Sequence, residues 1–265
     1  MKARATAIVM ALGLVFVGEG LGAQPGQGQL LVSAAASLTD VLTKLAPDLE
    51  QSVHATVLFN FGGSGALRRQ IEEGAPVDVF FSASTEDMDR LERESLIVSR
   101  TRTDLLSNRI VLIAGPAGTP APVPVPLSGP AGLRTLLQGT DILAIGNPDT
   151  VPAGRYAVRA LTGYGLFSLV SSRLALAGNV REVLQYVQNG SAALGIVFAT
   201  DVPTDPSSQV RQLFAFPDDA VGASILYPVA VVSASKNQEA AARVIDFLRG
   251  REARDAFRSA GFILK

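Results

Sequence analysis

Short apolar runs alternate with amphipathic helical patterns along this chain, and that alternation limits its fold more than any other feature. Leu30 to Ser33 reads as a strand and Leu38 to Leu49 as a helix. Val53 to Phe61 is a strand rich in β-branched and aromatic residues, followed by a helix over Ala66 to Glu73. The pattern continues with Val77 to Phe81 (strand), Thr85 to Glu94 (helix), Ile110 to Ala114 (strand) and Ile142 to Ile145 (strand). Gly154 to Leu161 and Val180 to Gln188 read as helices, Leu194 to Val197 and Tyr227 to Val232 as strands, and Gln238 to Arg249 as a helix. Strands alternating with helices predict an α/β protein whose parallel sheets are covered on both faces. Between Gly115 and Pro130 lie Pro116, Pro120, Pro122, Pro124, Pro126 and Pro130. Proline resists both helix interiors and central strands, so this stretch reads as a connector between two lobes or as a surface loop. No internal repeat and no heptad pattern is visible.

The first residues form a targeting segment. Lys2 and Arg4 precede an apolar run from Ala5 to Val17, and small residues follow up to Ala23. This is the layout of a secretory signal peptide; a membrane span needs about 20 apolar residues. Cleavage is expected near Ala23, so residues 1–23 are the signal. Gln24 follows rather than cysteine, so no lipid anchor is expected there. The expected location is an extracytoplasmic space.

Composition removes whole classes of function. Apolar residues are 48%, charged residues 18% and the net charge −1, unlike a disordered chain and without the basic footprint of a nucleic-acid binder. With no cysteine and one histidine, His54, thiolate metal sites, iron–sulfur clusters, a cysteine nucleophile and multi-histidine metal centres are all excluded. Gly62-Gly63-Ser64-Gly65-Ala66 approaches a nucleophile elbow but has alanine at the last position. His54 lies at the far end of the preceding strand, about 20 Å away at strand rise, whereas a general base must reach within about 3 Å. A hydrolase using Ser64 is the alternative reading from another functional class, and it lacks a base. No P-loop is present, and Gly26-Gln27-Gly28 precedes the first strand rather than following it.

What remains is a set of small polar turns at strand-to-helix junctions: Ala34 to Asp40, Gly62 to Gly65, Val151 to Gly154 and Gly178 to Val180. The first N–H groups of a helix lack intrahelical partners and attract anions, and tiny side chains allow close approach to the backbone. Ser37, Ser64 and Asn179 are also good helix caps, which is the ordinary alternative. None of the four turns contains Lys or Arg. The pattern points to a fully ionised anion held by neutral donors at the carboxyl edge of the strands.

At these residues the chain resembles the periplasmic molybdate-binding proteins of bacterial ABC transporters. The matching stretches are Ala34-Ala35-Ala36-Ser37-Leu38, Phe61 to Leu67 and Arg69 to Ala83. Gly146-Asn147-Pro148 with Val151 to Gly154, Leu194 to Val197, Tyr227 to Val232 and Gly261-Phe262 complete the set. The resemblance implies a two-lobed periplasmic-binding-protein fold of type II with two chain crossovers. Lobe 1 would comprise 24–115 with 226–265, and lobe 2 would comprise 116–225. It implies capture of molybdate, and also tungstate, with the hydroxyls of Ser37 and Ser64 and the N–H groups of Ala153 and Val180 holding the anion. Another oxyanion such as sulfate is the alternative ligand. At the position after Leu194-Gly195-Ile196-Val197 the family often carries a tyrosine that donates to the anion; here it is Phe198. The resemblance further implies no catalysis, no cofactor, no metal other than the molybdenum of the bound oxyanion, a membrane permease as partner, and a monomer.

Overall fold

A computed structural model describes residues 28–115, 127, 129–202 and 210–265. The expected signal segment at 1–23 and most of the proline-rich stretch lie outside the described residues. The chain opens with β1 (Gly28–Ala35), a 3-10 turn at Ala36–Leu38, α1 (Thr39–Val53), β2 (Ala55–Gly62), α2 (Ser64–Glu72), β3 (Val79–Phe81), α3 (Thr85–Arg93) and β4 (Thr103–Asn108). Next come β5 (Ile110–Ala114), α4 (Gly129–Gln138), β6 (Leu143–Gly146), α5 (Pro152–Gly163), α6 (Phe167–Val170), β7 (Leu174–Ala177), α7 (Val180–Gln188), β8 (Leu194–Phe198) and β9 (Arg211–Ala215). The chain ends with α8 (Asp218–Val221), β10 (Ile225–Val231), α9 (Gln238–Arg249), α10 (Arg251–Ser259) and β11 (Ile263–Leu264).

The helices follow their apolar spacing. In α1, Val41, Leu42, Leu45, Leu49 and Val53 are buried, one stripe at helical period, each contributing about 1.5–3 kcal/mol relative to exposure. Pro47 sits inside this helix on its exposed side, so the carbonyl it leaves without a partner faces water. His54 closes the helix at φ 53°, in the left-handed conformation that histidine tolerates better than branched residues.

The described strands form two sheets, ordered β11-β4-β10-β3-β1-β2 and β7-β6-β8-β5-β9. Setting β11 aside, the two have the same plan. Three parallel strands (β2-β1-β3 and β7-β6-β8) are followed by an antiparallel one (β10 or β5) and then a last strand, β4 or β9. The sheets are therefore mixed, not parallel as the alternation predicts. The exceptions are the strands that arrive from the other lobe. β4 runs into β5 through the single residue Arg109, so the direction of β5 is inherited from the other sheet rather than set by a βαβ unit.

This geometry also corrects the expected division at residue 115. Ile110–Ala114 pairs with β8 and β9, so the first crossing between sheets is at Arg109. The second crossing lies between Ala215 and Ile225. The proline-rich stretch lies between β5 and α4 in the sequence. The two crossings are neighbours: Asn108 pairs with Ile225, and Phe216 N–H donates to the Ile110 carbonyl at 3.0 Å.

Candidate functional site

The turns after β1 and β2 face the turns after β6 and β7. These are equivalent positions in the two sheets, so the shared plan brings four strand-to-helix junctions to one place. Between them is a small cavity of about 10 Å³, lined by backbone and small side chains of Ala35 to Ser37, Gly62 to Ser64 and Ala83 on one side. Val151, Pro152, Val180 and Phe198 line the other side. None of these described lining residues carries a titratable side chain.

Four of the five residues expected from sequence meet here: Ser37, Ser64, Val180 and Phe198. Ala153 is the second residue of α5 and fully buried; its neighbours Val151 and Pro152 form the wall instead. The ordinary capping role does not hold for the serines. Ser37 lies inside the 3-10 turn, and Ser64 is the first residue of α2 behind Gly63; neither turn has a side-chain cap. Ser64 Oγ instead accepts from the Ala83 N–H at 3.0 Å, and Ser37 Oγ lies 3.0 Å from the Tyr227 hydroxyl. Asn179 does cap α7, its Oδ1 accepting from the N–H groups of Arg181 and Glu182. That leaves the Val180 N–H, the first of the helix, outside the cap.

The lobes touch around the cavity. Gly65 N–H donates to the Thr150 carbonyl at 2.9 Å. A Cβ on Gly63 would lie 2.8 Å from that same oxygen and 2.9 Å from the Gly178 oxygen, and a Cβ on Gly65 would lie 2.9 Å from Thr150 O. Glycine is required at these two positions for the lobes to come this close. The four turns contain no Lys or Arg; Arg155 and Arg181 directly follow two of them. Neither lines the cavity, although Arg181 Nε donates to the Ala36 carbonyl at 3.4 Å. Arg155 pairs with Asp87 and Glu86 across the lobes; Asp87 also binds Arg68 at 3.0 Å. Arg181 pairs with Asp40 at 2.9 Å and lies 3.3 Å from Asp201 Oδ1.

Phe198 is 2% exposed and packs edge-on against Tyr227 and Tyr156, with centroids 5.6 and 6.4 Å away. Its N–H donates to Asp201 Oδ2 at 3.2 Å. Burial pushes the Asp201 carboxyl up to about 7, against the pull of Arg181 and the Phe198 N–H. Tyr227 is also raised, first by burial and then by the charge of Asp201, so its hydroxyl keeps its proton. Neither Tyr227 nor Asn108 was singled out as a site residue from sequence. Tyr227 is 190 residues from Ser37, and only its place in the Tyr227 to Val232 stretch marked it. His54 caps α1 at the start of β2, and Ser64 follows the end of that strand, as the length argument against a Ser–His pair requires.

No group of His, Asp and Glu among the described residues is placed to hold a metal, and no described helix is long and apolar enough to cross a membrane. Residues 30–263 match the family described as bacterial extracellular solute-binding protein. The molybdate-binding protein ModA of Escherichia coli is 36% identical over 239 residues, covering 90% of each chain. The ModA of Haemophilus influenzae is 38% identical over 222 residues, covering 83% of each. Among solved structures, the periplasmic molybdate-binding protein of Azotobacter vinelandii superposes with a TM-score of 0.75 at 22% identity, over 89% of this chain and 99% of that one. The sulfate-binding protein SubI of Mycobacterium tuberculosis gives 0.70 at 18% identity, over 89% and 86%. These last two share the two-lobed α/β fold with this protein. The chain therefore belongs to the bacterial extracellular solute-binding proteins, in the branch that includes the molybdate-binding proteins of E. coli and H. influenzae.

Proposed function

We propose that this protein captures molybdate, and also tungstate, in the cavity between its sheets and delivers it to the membrane permease of an ABC transporter. The observation that carries the reading is the lining itself: serine hydroxyls and helix N-termini, with the nearby guanidiniums committed to other carboxylates. Such a wall offers donors to an anion that has no proton to give. The anion is held by Ser37 and Ser64 through their hydroxyls and by Ala153 and Val180 through their N–H groups, with Phe198 as an apolar wall. The chain works as a periplasmic monomer, freed of residues 1–23 and without a lipid anchor. Each sheet with its helices is one lobe, hinged at Arg109 and at the Ala215 to Ile225 return, and the lobes open to admit the anion. No bond is made or broken, since none of the described residues lining the cavity serves as a general base for Ser64.

Titration calorimetry with molybdate, tungstate, sulfate and phosphate tests this. One molybdate per chain is expected, with a thermal shift matching the about 4 kcal/mol that a ligand adds at about 1,000 times its dissociation constant. Silence with molybdate beside a clear response to sulfate or phosphate would overturn the reading.

A further inference from the structure

Asn108, Tyr227 and Ser37 form a hydrogen-bonded chain that ends at the cavity, and its direction follows from counting protons. Arg109 N–H donates to Asn108 Oδ1 at 2.8 Å, which identifies the other amide atom as nitrogen. Asn108 Nδ2 then donates to Thr200 Oγ1 at 2.8 Å and to the Tyr227 hydroxyl oxygen at 3.2 Å. An amide nitrogen has two protons and accepts nothing, so Tyr227 has no way to donate back to it. The tyrosine proton goes to Ser37 Oγ, 3.0 Å away. In the reverse order, with Ser37 donating, the proton of a fully buried tyrosine would have no acceptor among its described partners, and an orphaned buried donor is costly. Ser37 therefore receives a proton from behind and has one hydroxyl proton left to give. Ser37 lines the cavity.

We infer that Tyr227 and Asn108 are positioning residues for the anion site: they commit the Ser37 hydroxyl to act as a donor towards the bound oxyanion. The inference rests on the molybdate reading for the identity of the ligand, but not for the direction of the chain. The Tyr227 hydroxyl acts one bond behind the cavity wall, against the Phe198 ring that itself offers no hydroxyl. Without it, Ser37 is free to turn its proton away, and part of the binding free energy is spent on orienting it.

A double-mutant cycle separates this role from a structural one. Tyr227→Phe keeps the ring and removes the hydroxyl; molybdate affinity should fall about threefold to tenfold, the range of one neutral hydrogen bond. In the Ser37→Ala background the same substitution should change affinity by less than about twofold, because the group it acts through is gone. Asn108→Ala, which leaves Tyr227 free to donate or accept, should show the same dependence on Ser37 and is read if Tyr227→Phe does not fold. An equal loss with and without Ser37 would assign these residues a structural role only, and no loss in either background would overturn the inference outright. Failure of the molybdate reading is visible separately in the wild-type titration: whichever oxyanion of the panel binds then replaces molybdate in the cycle, and binding of none overturns both.

Discussion

Gly65→Ala probes lobe closure with one methyl group. Gly65 lies in α2 at an ordinary helical conformation, so alanine suits the isolated lobe better than glycine by about 0.5–1 kcal/mol. In the closed protein the new Cβ would sit 2.9 Å from the Thr150 oxygen, 3.0 Å from its Cα and 3.1 Å from its carbonyl carbon. All three are backbone atoms of the opposite lobe, so no side chain can swing aside. Overpacking of this kind costs about 1–3 kcal/mol, and displacement of the Gly65 N–H from Thr150 adds about 0.5–1.5 kcal/mol. The whole penalty falls on the closed state. Apparent affinity is reduced by the fraction of closure-competent protein, so about 1.5–4.5 kcal/mol predicts molybdate binding weaker by roughly tenfold to two-thousandfold. Calorimetry measures that loss, and urea unfolding without ligand measures the fold. The expected result is weak binding by a ligand-free protein as stable as the wild type or slightly more so. Wild-type affinity, or a ligand-free destabilisation as large as the binding loss, would refute the closure argument.

Ser64→Ala should weaken molybdate binding about 10- to 150-fold, the value of a hydrogen bond to a charged group; it also strands the Ala83 N–H, so urea unfolding should show a separate loss of about 1–3 kcal/mol. Phe198→Tyr should tighten molybdate binding about threefold to thirtyfold by adding a donor to the wall, and unchanged or weaker binding in calorimetry would mean that the packing against Tyr156 and Tyr227 leaves the added hydroxyl no useful position. Asp201 keeps its proton in the folded protein up to about 7, whereas in the unfolded chain it loses it near about 4. Between those values the native state binds the extra proton, so this group's contribution to stability falls as pH rises through the window, by at most about 1.4 kcal/mol per pH unit. Asp201→Asn should remove that slope, and parallel urea curves for the two proteins at pH 5 and pH 8 would show the reasoning to be wrong.

Local chemistry decided what was legible in the sequence. Helical period alone placed Val180–Gln188 and Gln238–Arg249 at their observed bounds, because one buried stripe with polar flanks leaves few other solutions. The four small-residue turns were also visible as local composition, and three of them contribute residues already singled out to the cavity wall. Weakly patterned elements such as β4, β7 and β9 were not seen. Their burial is partial or set by neighbours distant in the chain: β7 is largely half-exposed at a sheet edge.

Tertiary structure decided everything that depends on pairing between distant residues. The sequence of Ile110–Ala114 says that it is a buried strand but not in which sheet, since an apolar run is equally satisfied by either core. The ion pairing of Arg155 and Arg181 depends on Asp87 and Asp40, in the other lobe. The direction of the Ser37 proton depends on Tyr227 and Asn108, at separations where periodicity has no reach. The sequence by itself determined the class of fold and the turns, and its lack of cysteine and its single histidine excluded thiolate and multi-histidine chemistry. Only the folded chain, by laying one sheet plan opposite another, determined which donors meet and which way they point, because hydrogen-bond direction follows from contacts between distant residues and not from local order.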